Sequence, residues 1–168
     1  MKTLLLLRHA KSSWDEPVDD YERGLNARGR LAAARMGREV ARLESGLDLI
    51  LASPAKRVVE TISEMGLGEE SRPMFDRRLY GASAGQLLDI VRSTDNRVAR
   101  LLLVGHNPGL AQLAEMLIGD GNASLRAQLL DKFPTAALAQ IDLPVDHWRD
   151  AGPNGGLLTS FVRPRDLE

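Results

Sequence analysis

Short apolar runs alternate along this chain with longer stretches in which apolar residues recur every three or four positions. The short runs are typical of strands buried on both faces of a sheet, and the longer spacing is typical of helices with one face on a core. Strands are predicted at residues 3–8, 47–53, 72–76 and 99–107. Helices are predicted at residues 26–44, 54–65, 83–92 and 108–118.

The order of these elements predicts the fold class. Ser83 and Gln86 form a capping-box pattern at the start of the third helix. Two further strands, residues 135–143 and 155–162, are predicted to complete the sheet. Alternation of strands and helices at this spacing favours βαβ crossovers. The sequence therefore predicts one α/β domain over residues 1–168, a three-layer α/β/α fold with a mostly parallel sheet, helices on both faces and no large cap insertion.

The composition is that of an ordinary globular domain of 168 residues, 43% of them hydrophobic and 27% charged. The chain has no cysteine, which excludes disulfides and cysteine-ligated metals, and its net charge of -1 gives no general attraction to nucleic acid or to an anionic membrane. The apolar run at residues 4–7 is too short for a signal peptide, and no segment reaches the ~18–20 apolar residues of a spanning helix. We therefore expect a cytoplasmic protein, and we expect a monomer because the pattern shows no exposed apolar stripe.

Candidate chemistry lies where the predicted strands end. Arg8 and His9 follow the first apolar run, Arg57 lies in the helix after the second, and His106 follows the fourth. The carboxyl ends of neighbouring parallel strands meet at one edge of a sheet, where ligands bind. We therefore expect these four side chains to lie close together. They are rich in hydrogen-bond donors, so the sequence predicts an anion-binding site.

Two helices are expected to point their N-termini at the same edge. Ser53 and Asn107 each precede a proline, and a capping residue followed by proline is a helix-start signal. We therefore expect Ser53 and Asn107 to be N-caps of the helices that follow them. The free N–H groups and positive ends of those helices would add to an anion site, and both residues are candidate contacts for the anion.

No motif in the sequence indicates a metal or a nucleotide cofactor. The chain lacks HExxH, GxxxxGK[ST] and GxGxxG patterns, and no acidic cluster follows a predicted strand. The third histidine, His147, lies near Pro144 and Trp148 and is interpreted as a loop or surface residue. We expect neither a metal nor a cofactor at the site.

Four short motifs carry a resemblance to a known family. They are Leu-Arg8-His9-Ala10, Leu25-x-x-x-Gly29, Ser53-Pro54-x-x-Arg57-x-x-x-Thr61 and Val-Gly105-His106-Asn107-Pro108. In this order, and over nearly the whole chain, the set resembles the histidine phosphatase superfamily. The short length is similar to that of the SixA-type phosphohistidine phosphatases. The resemblance implies a phosphoglycerate mutase-like fold and a phosphatase activity.

The resemblance also implies roles for individual residues. His9 matches the nucleophile that becomes transiently phosphorylated, and His106 matches the second histidine of the pocket. Arg8 and Arg57 match the arginines that hold the phosphoryl oxygens. The family motif is usually Arg-His-Gly, whereas this chain has Ala10 after the histidine. Alanine is a small change, and we still expect activity.

A proton donor and further contacts complete the candidate site. Many family members carry a carboxylic acid shortly after the third strand. Arg78 stands nearest to that position here, and Asp76 is the nearby carboxylate and the candidate general acid. Asp76 is equally well interpreted as a turn carboxylate paired with Arg77 or Arg78. The loop after the nucleophile supplies further candidate contacts to substrate or phosphate: Lys11, Ser12, Trp14 and Arg23.

The leading hypothesis for function is a metal-independent phosphatase that forms a phosphohistidine intermediate and removes phosphate from phosphohistidine on a protein. A labile P–N bond needs less help from an acid than an ester does, and short connections leave little room for a lid over the site. The first alternative is a broad small-molecule phosphomonoesterase or mutase of the same superfamily, acting on a small phosphate ester. The second is a phosphate-binding module without catalysis.

Overall fold

The predicted alternation of strands and helices is present in the computed structural model, which describes residues 1–43 and 46–168. Seven strands are described: β1 (Lys2–Arg8), β2 (Leu49–Ala52), β3 (Pro73–Phe75), β4 (Arg100–Gly105), β5 (Ile118–Gly121), β6 (Leu138–Leu143) and β7 (Gly156–Val162). The α-helices are α1 (Ala27–Ala41), α2 (Lys56–Met65), α3 (Ala84–Arg92), α4 (Gly109–Leu117) and α5 (Ala123–Asp131). Short 3-10 helices lie at Asp20–Glu22, Arg77–Leu79, Trp148–Asp150 and Pro164–Leu167.

The strands form one sheet in the order β3-β2-β4-β1-β6-β7-β5. The pairs β1–β4, β2–β4, β2–β3 and β5–β7 are parallel, and β6 is antiparallel to both of its neighbours. The carboxyl ends of β2, β4 and β1 therefore lie side by side at one edge of the sheet. This confirms the predicted α/β fold with a mostly parallel sheet.

Helices cover both faces of the sheet, as predicted. In β1 the side chains alternate between faces, and Leu4, Leu5, Leu6 and Leu7 are all fully buried. Leu4 and Leu6 pack in a core with residues of α3, α4 and α5. Leu5 and Leu7 pack in a second core with residues of α1 and α2. The continuous leucine run thus reflects a central strand with an apolar layer on each side.

The structure corrects the predicted boundaries of several elements. Helix α1 ends at Ala41, and Glu44, its predicted last residue, lies outside the described residues. Helix α2 begins at Lys56 rather than residue 54, and α4 begins at Gly109 rather than residue 108. The sixth strand begins at Leu138 rather than residue 135.

The sequence pattern missed β5 and α5 altogether. Helix α5 buries Leu129 alone, so it has no recurring apolar stripe to reveal it. Strand β5 reads Ile-Gly-Asp-Gly, and glycine and aspartate are poor strand formers. Tertiary pairing with β7, rather than local preference, specifies this short strand.

No helix among the described residues is long and apolar enough to cross a membrane.

The close packing of α1 on α2 generates a stability prediction. A Cβ added at Gly37 would overlap the backbone carbonyl of Met65, so Gly37→Ala must push the helices apart. We expect this substitution to lower the free energy of unfolding by about 1–3 kcal/mol in chemical denaturation. Gly85→Ala is the control, because the nearest heavy atom to its new Cβ is Ser83 Oγ at 3.9 Å. It should leave stability unchanged or raise it by up to about 1 kcal/mol, and an equal loss in both variants would contradict the prediction.

Candidate active site

The candidate residues meet at the carboxyl edge formed by β2, β4 and β1. Arg8 ends β1 and is paired in register with Gly105, the last residue of β4. His9 and His106 come next on their two chains, and their ring centroids lie 5.3 Å apart. Together with Arg57 they line an open cavity of about 490 Å³. The four residues expected from the sequence to lie together are therefore brought together.

His9 is held with one ring nitrogen engaged. The side chain is 6% exposed, and Nδ1 lies 2.7 Å from the carbonyl oxygen of Ala10. A carbonyl can only accept, so Nδ1 carries the proton and, in the neutral ring, Nε2 keeps its lone pair. Burial is the largest cause that lowers the pKa of His9 to about 3; the hydrogen bond to Ala10 opposes the shift, and the nearby His106, Arg57 and Arg8 add to it. At neutral pH the imidazole is uncharged and suited to act as a nucleophile.

His106 is oriented by two neighbours. Its Nδ1 lies 3.3 Å from Nη2 of Arg57, which can only donate, so Nδ1 accepts. Its Nε2 then donates to Oγ of Ser53 at 2.8 Å. Burial, followed by the charge of Arg57, lowers the pKa of His106 to about 4. In this structure His106 is therefore neutral, and its N–H is directed at Ser53.

Ser53 and Asn107 are at the site, but they do not cap helices in the predicted way. The N-cap position of α2 is Ala55, and that of α4 is Pro108. The Ser53 hydroxyl is used instead by His106 and by the backbone N–H of Ala55, which lies 3.2 Å away. Asn107 does accept from the N–H of Ala111 in the first turn of α4, at 3.3 Å. Its amide also donates 2.9 Å to the carbonyl of Phe133.

Three arginines surround the cavity with free donors. Arg57 is 5% exposed, Arg23 is 8% exposed, and Arg8 donates 3.1 Å to the carbonyl of Phe133. The Nε–H groups of all three are buried and have no acceptor among the described protein atoms. Burial and the charge of Arg57 lower the pKa of Arg8. Buried guanidinium donors favour an anionic ligand, and their fork geometry matches phosphate oxygens.

Asp20, which the sequence reading missed, connects these arginines. Its carboxylate accepts from Nη2 of Arg57 at 3.0 Å, from Arg23 at 3.1 Å and from the hydroxyl of Tyr80 at 2.7 Å. Its backbone carbonyl also accepts from Nη1 of Arg57 at 2.7 Å. The hydrogen bond from Tyr80, and then those from the two arginines, hold the pKa of Asp20 well below its usual range. No spacing rule links Asp20 to the site, because it reaches Arg57 across 37 residues of chain.

Three of the four predicted rim residues are joined by contacts of Arg23. Arg23 donates to Oγ of Ser12 and stacks on Trp14, with 3.7 Å between the guanidinium carbon and the ring centroid. Lys11 lines the same cavity, and so does Lys132, from the segment after α5 that the sequence pattern missed. The cavity is therefore cationic around its rim as well as at its base.

Residues 4–100 match the family model of the histidine phosphatase superfamily, branch 1. The chain belongs to the histidine phosphatase superfamily. The match contains Arg8, His9, Ser53 and Arg57, and His106 lies just beyond it.

Similar proteins agree with this assignment over nearly the full length. The uncharacterized protein Rv1276c of Mycobacterium tuberculosis is 32% identical, over 95% of this chain and 100% of that protein. The structure of a candidate phosphohistidine phosphatase SixA from Agrobacterium tumefaciens superposes with a TM-score of 0.81. Its sequence is 30% identical, and the match covers 97% of this chain and 98% of that one. Another candidate SixA, from Nakamurella multipartitia, shares the fold at 24% identity, with a TM-score of 0.83 and coverage of 97% and 96%. The resemblance to SixA-type proteins is confirmed.

Asp76, the candidate general acid of this histidine phosphatase, is directed elsewhere. Its carboxylate accepts from the side chain of Arg78 at 2.7 Å and from the Arg78 backbone N–H at 2.9 Å. Those bonds lower the pKa of Asp76, which favours the charged form and not the proton-donating one. Asp76 does not line the cavity. This arrangement is the turn-carboxylate alternative, with Arg78 as the partner.

His147, the third histidine, lies outside the cavity. It is 3.8 Å from Asp150, close to the 3-10 helix Trp148–Asp150, and does not line the site. Among the described residues, no group of three or more His, Cys, Asp and Glu side chains has the arrangement of a metal site.

The buried histidines predict how stability depends on pH. The pKa values of His9 and His106 are lowered to about 3 and about 4 in the folded chain, from 6.5. The unfolded chain therefore takes up protons as pH falls below 6.5 and the folded chain does not, so stability is full above pH 7 and lost toward pH 4. From pH 7 to pH 5 we expect a loss of about 1–2 kcal/mol per histidine in the free energy of unfolding, measured by chemical denaturation. His9→Asn should lose less over this interval, and an equal loss would contradict the prediction.

Asp20 generates a second prediction, for activity. Asp20→Ala removes the carboxylate bond to Nη2 of Arg57 and leaves only the bond from Nη1 to the backbone carbonyl. The guanidinium is then held less firmly, so we expect kcat/KM for p-nitrophenyl phosphate to fall on the order of 10-fold. Asp15→Ala, in the same loop and exposed, is the matched control and should match wild type. Tyr80→Phe keeps the Asp20–Arg57 pair and should have a smaller effect than Asp20→Ala. Higher activity in Asp20→Ala would show instead that the carboxylate competes with the phosphoryl group for Arg57.

Proposed function

We propose that this chain is a metal-independent phosphatase that uses His9 as its nucleophile and removes phosphate from phosphohistidine on a protein. The observation that carries the proposal is the state of His9: buried, neutral, with Nδ1–H bonded to Ala10 and Nε2 unprotonated, beside three arginines with donors to spare. A nucleophile and an anion-binding frame are thus present in one cavity.

The first step is an in-line transfer to His9. The Nε2 lone pair attacks phosphorus and forms an N–P bond, while the bond from phosphorus to the substrate nitrogen breaks. The electron pair of that bond stays on the substrate ring, which carries a proton on its other nitrogen and therefore leaves as neutral imidazole. The carbonyl of Ala10 holds the Nδ1 proton, 2.7 Å away, and thereby stabilises the positive charge that develops on the ring. Phosphoryl transfer depends mainly on this kind of positioning and charge stabilisation.

The second step regenerates the enzyme. Water attacks the phosphorus of phosphorylated His9, the N–P bond breaks, and Nε2 recovers its lone pair as phosphate leaves with the oxygen and protons of water. Arg8 and Arg57 would bind the phosphoryl oxygens in both steps, because their guanidinium groups border the cavity and remain charged. Asp20 positions Arg57 for this contact.

The choice of substrate follows from the carboxylates near the cavity. Asp20 is held ionised by Tyr80 and two arginines, and Asp76 is bonded to Arg78. Neither is placed as a proton donor to an alkoxide leaving group. An imidazole leaves without such help, so a P–N bond suits this site better than an alkyl ester.

The open cavity supports a substrate presented on a protein surface. It is bordered by the loop after β1 and by the segment between α5 and β6, and Trp14 at its edge is 77% exposed. The proposal also includes a cytoplasmic location, a monomeric state, no cap insertion and no cofactor. The absence of cysteine bears only on the location, because it gives no sign of an oxidising compartment.

The experiment that tests the proposal compares two substrates. Phosphate release is measured in EDTA from a histidine-phosphorylated protein domain and from p-nitrophenyl phosphate, for wild type, His9→Ala and the control His147→Ala. We expect wild type and His147→Ala to prefer the phosphohistidine substrate and His9→Ala to be inactive. Arg57→Ala should lose on the order of 10²–10³ in rate.

Each other outcome selects an alternative. Release from the ester alone would indicate a small-molecule phosphomonoesterase or mutase. Phosphate binding without turnover of either substrate would indicate a binding module. Full activity of His9→Ala would overturn the proposed nucleophile itself.

A further inference from the structure

Two cavities adjoin the active-site cavity and continue it across the surface. Their volumes are about 180 and 330 Å³, and both share Lys11 and Thr135 with the active-site cavity. One side is formed by α1, and the other by the end of α5 and by the 3-10 helix Pro164–Leu167. We name the two cavities together the basic groove.

The basic groove concentrates positive charge. Among the residues that the structure describes, two carboxylates line it, Asp131 and Glu168, against six cationic side chains. The six are Lys11, Arg28, Arg35, Lys132, Arg163 and Arg165. The whole chain has a net charge of -1, so this surplus is a local feature and is balanced by acidic residues elsewhere. A cleft with one sign of charge attracts ligands of the opposite sign.

Most of these cations are available to a ligand. Arg35 lies 3.9 Å from Glu168, and Arg163 lies 2.9 Å from Asp166. The other four have no carboxylate within ion-pair distance anywhere in residues 1–43 and 46–168: Lys11, Arg28, Lys132 and Arg165. The groove therefore has more donors than the fold itself uses.

Apolar side chains accompany the charge. Leu31 lines the basic groove and is 61% exposed, and Trp14 stands at the active-site cavity with 77% of its surface exposed. Exposed tryptophan and arginine beside apolar surface are typical of protein–protein contacts. A small anion would need the cations alone, so the combination favours a protein.

We propose that the basic groove is a docking surface for the protein substrate and binds carboxylate side chains that lie beside the phosphorylated histidine. The inference rests on the proposed function and adds the chemistry of the partner: an acidic surface around the target residue. The two carboxylates of the groove, Asp131 and Glu168, are compatible with a protein partner. A protein surface also carries lysine and arginine side chains, which could pair with them. A nucleic acid, with its uniform phosphate charge, would be repelled by both carboxylates.

The test separates docking from catalysis by measuring binding. Two labelled peptides carry one histidine, flanked in one by four aspartate or glutamate residues and in the other by serine and glutamine. Their affinities are measured by fluorescence anisotropy for wild type, for Arg28→Glu/Arg165→Glu and for the control Arg72→Glu/Arg149→Glu. The control changes net charge equally at exposed arginines that do not line the groove. Glutamate suits position 28, in the first turn of α1, so the variant should fold.

We expect wild type and the control to bind the acidic peptide about tenfold more tightly than the neutral one. The Arg28→Glu/Arg165→Glu variant should lose this preference. After chemical phosphorylation of both peptides, kcat/KM should follow the same pattern. Turnover of free phosphohistidine, which is too small to reach the groove, should be equal in all three proteins.

Several results would overturn the proposal. Equal affinity for the two peptides in wild type, or an equal loss in the control, would show that the groove does not select carboxylates. A single-stranded oligonucleotide that binds more tightly than the acidic peptide would make the groove a nucleic-acid site. A higher KM for free phosphohistidine in Arg28→Glu/Arg165→Glu, with peptide binding unchanged, would make the groove a subsite for small anions. Absence of turnover together with a groove-dependent preference would refute the proposed function and support the docking surface.

Discussion

The parallel pairing of β1 with β4 is the constraint on which the site depends. Register places Arg8 opposite Gly105, so the residues that follow, His9 and His106, emerge at the same height of the sheet. The same sheet holds β2 against the other side of β4, which brings Ser53 to His106. A shift of one residue in this register would turn His9 to the opposite face of the sheet from His106 and would separate the two histidines. The pairing of β1 with β4 therefore fixes the geometry of the candidate site.

The cavity places several arginines close together, and the repulsion between their charges is unfavourable. Burial, and to a smaller extent the charges of His106, Arg57 and Arg8, lower the pKa of His9 and keep it uncharged. Left alone, the arginines would repel one another in a low dielectric. Asp20 reduces this repulsion by accepting from two of them. One carboxylate thus holds Arg23 and Arg57 in place.

The sequence could predict what local pattern determines. Buried runs and strand-end residues identified the sheet and brought Arg8, His9, Arg57 and His106 together, because parallel topology leaves few other arrangements. The contacts of Asp20 could not be predicted, since a loop carboxylate finds its partners through tertiary folding. Helix α5 escaped prediction because it buries Leu129 alone. The prediction that Ser53 is an N-cap was wrong for a similar reason, because a tertiary contact with His106 uses its hydroxyl.

The segment that follows α5, which the sequence pattern missed, connects the active-site cavity with the basic groove. The carbonyl of Phe133, just after α5, accepts from both Arg8 and Asn107, at 3.1 and 2.9 Å. The next residues of the chain, Pro134 and Thr135, line both the active-site cavity and the basic groove. Two residues that line the groove are therefore one and two peptide bonds away from the carbonyl that holds Arg8, the proposed phosphate-binding arginine. Docking of a partner in the groove would act on a segment already bonded to the site, so the proposed docking and the proposed phosphoryl positioning would share one element of the fold.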